Sequence, residues 1–134
     1  MTELKDTVLD EFQYTSQDLL IRNKSILDCM TKMTDSCSRV SRTLVKAATH
    51  CGCIQIIGQK QDIPLLTDMD DMKDHMHSHI EGTLCDNCRD LLEKEMGRNL
   101  FYLSAICNTL DLNLYDIIIR ELERLKLLGK YSLR

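Results

Sequence analysis

Four cysteines stand in two close pairs, Cys51-Gly52-Cys53 and Cys85-Asp86-Asn87-Cys88. Thiolates one or two residues apart on the backbone can reach the same ion, and two such pairs surround one centre with four sulfurs. Four sulfur ligands in a tetrahedron are the usual form of a structural zinc site, with no open position for catalysis. A CxC is a less common half-site than a CxxC, so other readings of Cys51, Cys53, Cys85 and Cys88 stay open. An iron–sulfur cluster also takes four thiolates, but ferredoxin spacings differ from this one. A redox-active Cys85/Cys88 pair would suit a thioredoxin-type βαβ setting, which the flanking sequence lacks. Plain reduced thiols are the remaining alternative.

The histidines offer a rival metal site. His75, His77 and His79 are close together and His50 precedes Cys51. On a helix His75 and His79 would share a face and could hold an ion. The preferred reading is a solvated polar face opposite a methionine stripe, with His50 the better alternative ligand beside the cysteines.

The elements that must position these residues are expected to be helices. The chain has 134 residues, enough for one domain with a core and too few for two comfortable ones. It holds one proline, Pro64, and five glycines, with little aromatic content, which favours helix over sheet and an all-α antiparallel bundle. A net charge of −4 speaks against general attraction to a nucleic-acid backbone. No apolar run approaches the roughly 20 residues that span a bilayer. The start, Met1-Thr2-Glu3-Leu4-Lys5-Asp6, lacks the basic and apolar regions of a secretory signal, so a cytoplasmic, reducing location is expected. There, seven cysteines are thiols or ligands and not disulfides.

Leu4, Val8 and Phe12 predict a short helix over about 3–12, broken at Tyr14-Thr15-Ser16 with Thr15 or Ser16 as the next N-cap. Ile26, Met30, Met33, Cys37, Val40, Leu44 and Ala47 then step by fours and threes, a heptad-like stripe that predicts a long helix stopping at Gly52. Cys29 beside the stripe and Cys37 within it read as small buried residues. Cys53 to Ile57 could be a strand, and 58–64 a loop. Thr67 is the expected N-cap of a helix over 68–79 carrying Met69, Met72, Met76 and Ile80. Another helix is expected over about 86–110, with Leu91 or Leu92, Met96, Leu100, Leu103, Ile106, Cys107 and Leu110 on one face. Asn113 should cap a last helix with Ile117, Ile118, Leu122 and Leu125, ending near Gly129. The short connector makes these two an antiparallel hairpin. The whole reads as one helical domain over 1–134 with a cysteine-rich insertion at about 50–88. A metal would fasten that insertion between two helix ends.

The stretch Glu95-Met96-Gly97-Arg98-Asn99-Leu100-Phe101-Tyr102-Leu103-Ser104-Ala105-Ile106-Cys107-Asn108 resembles the second catalytic helix of the MazG-like, all-α nucleoside triphosphate pyrophosphohydrolases, which reads roughly E-L-G-D-V-L-F-Y-L-A-A-L-A-N. The family's short turn and closing helix match Leu112 to Leu125. The helix around Thr31-Lys32-Met33 resembles, more loosely, the first catalytic helix, K-L-x-E-E-x-x-E. The cysteine-rich segment has no counterpart. The resemblance implies a helical bundle, a nucleotide ligand, and homodimers with bundles shared between chains.

In that family, carboxylates of EExxE and ExxD hold Mg²⁺, a hard cation that prefers oxygen ligands. Carried over by position, the first motif becomes Asp35, Ser36 and Arg39, and the second becomes Glu95 and Arg98. A guanidinium cannot ligate a cation and repels it. The resemblance therefore implies a scaffold whose Mg²⁺-dependent hydrolysis is lost or altered, with Asp35 and Glu95 as remnant carboxylates. Ion pairs Arg39–Glu95 and Arg98–Asp35 would replace the metal bridge. Alternatively Arg39, Arg42, Lys46 and Arg98 bind phosphate directly, as arginine does bidentately. Two other functions compete: a working pyrophosphohydrolase using Asp35, Glu93 and Glu95 or the acidic run at 68–74, and a zinc-stapled interaction module that takes a protein partner.

Overall fold

The computed structural model describes residues 2–20 and 24–129, the side chains of 2–6 excepted, so Leu4 of the first expected stripe lies outside the described side chains. Five α-helices and one two-stranded sheet are found among them: α1 (Thr2–Leu19), α2 (Ile26–Lys46), β1 (Ile54–Ile56), α3 (Met69–His75), β2 (Ile80–Gly82), α4 (Asp86–Thr109) and α5 (Leu114–Leu128). The chain divides into two compact units, Met1–Ser38 with Glu95–Arg134, and Arg39–Lys94.

In the first unit, the expected break at Tyr14-Thr15-Ser16 is absent and α1 continues through it. Ser16 does not cap a new helix. Its hydroxyl donates to Phe12 O at 2.8 Å, one turn back in the same helix, and is buried. That local bond satisfies the side chain without ending the helix. The most buried line of α2 in this unit is Cys29 and Ser36, both under 2% exposed, and not the bulkier stripe beside it. Met30 and Cys37 of that stripe are exposed, against expectation, while Ile26 and Met33 are half-buried. Small side chains let neighbouring atoms approach closely, and α4 contributes Ser104, Ala105 and Cys107 in the same way. Burial raises the thiol pKa of Cys29 and of Cys107.

The turn between α4 and α5 is held by Gln13 of α1. Its Nε2 donates to Asn108 Oδ1 at 2.9 Å and to Leu112 O at 2.7 Å, and its Oε1 accepts from Leu114 N at 2.7 Å. Asn108 Nδ2 returns a bond to Gln13 O at 3.1 Å. Asn113 caps α5 as expected, accepting from Asp116 N at 2.9 Å, and Gly129 follows its last residue.

In the second unit, α2 passes into a π-turn over Ala47–Cys51 that stops at Gly52. The Gly52 amide donates to Ala47 O at 2.8 Å, and its φ of 82° lies in the left-handed region that glycine enters without strain. β1 and β2 pair antiparallel, Ile54 opposite Gly82 and Ile56 opposite Ile80. The second strand was not expected from sequence. Gly82 has φ 89°, and a Cβ there would lie 2.6 Å from Cys53 O, so only glycine lets the strands close. The third helix is shorter than the periodicity predicts, ending at His75 with Met76 already extended. Its N-cap is Asp68, which accepts from Asp71 N at 3.0 Å, and not Thr67. Thr67 Oγ1 instead donates to Pro64 O at 2.6 Å.

Candidate metal centre

The four paired cysteines converge within the second unit. The Sγ atoms of Cys51, Cys53, Cys85 and Cys88 all lie within 4.8 Å of one another. Each is delivered by a distinct local device. Cys51 closes the π-turn and Cys53 follows Gly52 into β1. Cys85 immediately precedes α4 and Cys88 sits in its first turn. Around them pack Ala47, Ile54, Leu44, Ala48 and Leu84, the small apolar core of this unit.

The geometry fits one tetrahedral ion. Zinc–sulfur bonds of about 2.3 Å at tetrahedral angles place thiolates about 3.8 Å apart. Cys51 Sγ and Cys85 Sγ, from segments 34 residues apart in sequence, lie 3.8 Å apart. A disulfide would need about 2.0 Å, and all seven cysteines are free.

The electrostatics favour one thiolate even without an ion. The Cys88 amide points at Cys85 Sγ, 3.4 Å away. That bond, with the Cys88 thiol as a second donor, lowers the Cys85 pKa to about 7. Cys85 thus acts as the N-cap of α4, where unpaired amides and the helix dipole stabilise negative charge. The proton is displaced onto its neighbour: interaction with the Cys85 sulfur, followed by burial, pushes Cys88 up to about 12. Cys53 Sγ lies 3.8 Å from Ala47 O. Four thiols this close cannot all ionise unaided, because like charges repel; a divalent cation resolves that conflict.

The histidines do not form a metal site of the kind expected. His75 is the last residue of α3, and His77 and His79 lie between it and β2, His79 with a left-handed φ of 62°, so His75 and His79 share no helix face. His77 and His79 are half-buried and tie two segments together. His77 N donates to Gln61 Oε1 at 2.7 Å, Gln61 Nε2 donates to His77 O at 2.9 Å, and His79 Nε2 meets Gln59 O at 2.7 Å. His50 is exposed, and the sulfur cluster comprises cysteines alone. Gln61 bonds through its side chain and Gln59 through its backbone carbonyl, so residue type alone carried little signal for this pairing.

The residues carried over from the resemblance are spread along α2 and α4. Asp35, Arg39, Arg42, Lys46 and Arg98 are exposed, and Glu95 is half-buried. Arg98 Nη1 pairs with Glu95 at 3.5 Å, three residues back on its own helix. In the first unit, a groove of about 570 Å³ is lined by Tyr14, Gln17, Asp18, Leu20 and Lys24; Arg98 is not among them. No helix among the described residues is long and apolar enough to cross a membrane. Comparisons with protein-family models, with curated proteins and with solved structures give no match to this chain.

Proposed function

We propose that this is a cytoplasmic, zinc-stapled helical protein that works by binding a partner, its metal structural and held by Cys51, Cys53, Cys85 and Cys88. The observation that carries this reading is the meeting of four sulfurs within 4.8 Å from two separate segments. Four protein thiolates leave no coordination position for water or substrate, so the ion fixes structure and performs no reaction. Zinc suits the set better than magnesium, since thiolate is a soft ligand and Mg²⁺ takes oxygen. Elemental analysis of the purified chain tests it. The expected result is about one zinc per chain, lost in Cys85→Ser and in Cys51→Ser. Stoichiometric iron with visible absorption, or metal-free protein from zinc-supplemented cells, would overturn it.

A second reading keeps the MazG-like scaffold and gives it a nucleotide or phosphate ligand in place of Mg²⁺-dependent hydrolysis. It is favoured by the exposure of Arg39, Arg42 and Lys46, whose spacing places them along one side of α2. Calorimetric titration with nucleoside triphosphates, with and without Mg²⁺, separates the cases. Heat that is independent of Mg²⁺ and lost in Arg42→Ala supports phosphate binding. Pyrophosphate release that Glu95→Gln abolishes would instead restore the working hydrolase. Homodimerisation belongs to the same reading, supported by the half-open apolar positions Ile117, Ile118 and Leu122 of α5. Light scattering at micromolar concentration should give twice the chain mass.

A further inference from the structure

The second unit is built as a base, a stem and a tip. The base is the cysteine cluster. The stem is the pairing of β1 with β2, extended by Ile57 N donating to His79 O at 2.8 Å and by the glutamine–histidine bonds just described. The tip is the turn Pro64-Leu65-Leu66-Thr67, closed by the Thr67 hydroxyl on Pro64 O.

Two leucines occupy the centre of that turn with no cover. Leu65 is 94% exposed and Leu66 104%. Single exposed leucines are ordinary, but two adjacent ones at full exposure on a closed turn are not. Leu66 also has φ 68°, a left-handed conformation that glycine adopts freely and a branched side chain resists. A turn with positive φ at its third position would be more stable with glycine there. The sequence instead keeps a large apolar side chain, strained and fully in water, which is the signature of a group held for something outside the unit.

The surroundings say what that something carries. Between residues 60 and 75 five aspartates, Asp62, Asp68, Asp70, Asp71 and Asp74, outnumber the two lysines Lys60 and Lys73. The segment is net −3 in a chain that is net −4. All seven of these charged residues are exposed. An acidic stretch on both sides of an apolar turn repels anionic lipid and complements a basic surface.

We infer that Leu65 and Leu66 form a docking tip for a protein partner presenting an apolar face edged by lysine or arginine. This rests on the zinc-staple reading, because the metal would fix the stem from which the tip projects. The two leucines supply the desolvated contact and the aspartates set orientation and association rate.

The test uses the zinc-loaded full chain and defined probes: an 18-residue amphipathic Leu/Lys helical peptide, its Leu/Glu counterpart, and phosphatidylcholine vesicles with and without phosphatidylglycerol. Fluorescence anisotropy should show binding of the Leu/Lys peptide that weakens with salt, and none of the Leu/Glu peptide. Leu65→Ser/Leu66→Ser should weaken it about tenfold or more. Leu66→Gly, which relieves the backbone strain, should weaken it while leaving the fold at least as stable. Leu/Lys binding that survives both variants, equal binding of both peptides, preference for either vesicle, or self-association abolished by L65S/L66S would each overturn the inference. Zinc is counted in the same samples. One zinc per chain with no discrimination between peptides ends the docking inference alone, whereas no zinc in any sample ends the staple reading.

Discussion

The two compact units hold themselves together by different chemistry. In Met1–Ser38 with Glu95–Arg134, the most buried side chains are small ones, Cys29, Ser36, Ser104, Ala105 and Cys107, and Gln13 bonds the turn between α4 and α5. In Arg39–Lys94 the elements between the cysteine pairs are two three-residue strands and a seven-residue helix. The buried core at the cluster is Ala47, Ile54 and Cys88 itself. Cysteine itself shows the difference. Cys29 and Cys107 are inert small residues whose thiols burial raises, whereas Cys85 is held near 7 by the amide of Cys88. So little apolar burial is what small domains generally offset with a cross-link, the part proposed for a metal at the four cysteines. A unit that holds the whole of the 18-residue α1 and the 15-residue α5 does not need one.

On the proposed zinc-staple reading, removing the metal should therefore produce the largest and most uneven effect. Structural zinc contributes about 10–16 kcal/mol of binding free energy in small zinc domains. Chelation should abolish hydrogen-exchange protection of β1 and β2, while the amides of α1 and α5 keep most of theirs. Uniform loss of protection in both units would erase the distinction between them.

Gly82→Ala should come next. The added Cβ would meet the carbonyl of Cys53, a backbone atom that cannot swing aside, at a φ that alanine resists. The strain and clash together should cost more than about 3 kcal/mol. Because Cys53 is one of the four proposed sulfur donors, zinc affinity should fall with stability. A variant that binds zinc normally would show that β2 is not needed to form the centre.

How much of this was legible in sequence follows from the range of the interaction involved. The four cysteines were legible because CxC and CxxC are local spacings, and so were α4, Gly52, and Asn113 capping α5. Ser16 was misread because a serine hydroxyl can bond its own helix as well as cap a new one, and only the fold decides which. β2 was hidden because Ile80-Glu81-Gly82 has too few residues for a period, and its partner lies 26 residues away across the register. Of the α2 stripe, Ala47 is buried and Ile26, Met33, Val40 and Leu44 are half-buried, and Cys29 beside it is buried as its size suggests; Met30 and Cys37 are exposed, and the burial of Ser36 carried no apolar signal. Gln13 was invisible for the same reason as β2: its partners lie 95 to 101 residues along the chain.

Gln13→Ala probes the other unit and should be smaller in effect. It removes three side-chain hydrogen bonds, leaving the Leu112 carbonyl and the Leu114 amide to find water. A net loss of about 2–3 kcal/mol is expected from denaturant unfolding. Zinc content should be unchanged, since none of these residues belongs to the unit that holds the cysteines. Loss of zinc in this variant would mean that the two units do not stand independently.

The smallest effects should differ in sign between two buried serines of the same unit. Ser16 is 2% exposed and its hydroxyl bonds Phe12 O, whereas Ser104 is 0% exposed and its Oγ meets no partner among the described residues. Replacing a satisfied hydroxyl by a methyl loses one weak helical bond, while replacing an unsatisfied one removes a desolvation penalty and leaves nothing unpaired. Ser16→Ala should be neutral or destabilising by under about 1 kcal/mol, and Ser104→Ala stabilising by up to about 1 kcal/mol. The cavity left in each case is a single oxygen, so packing losses nearly cancel between the two. Thermal unfolding midpoints that move in opposite directions would establish that this unit is limited by polar satisfaction and not by volume. A destabilised Ser104→Ala would mean that its hydroxyl has a bonded role in the native protein.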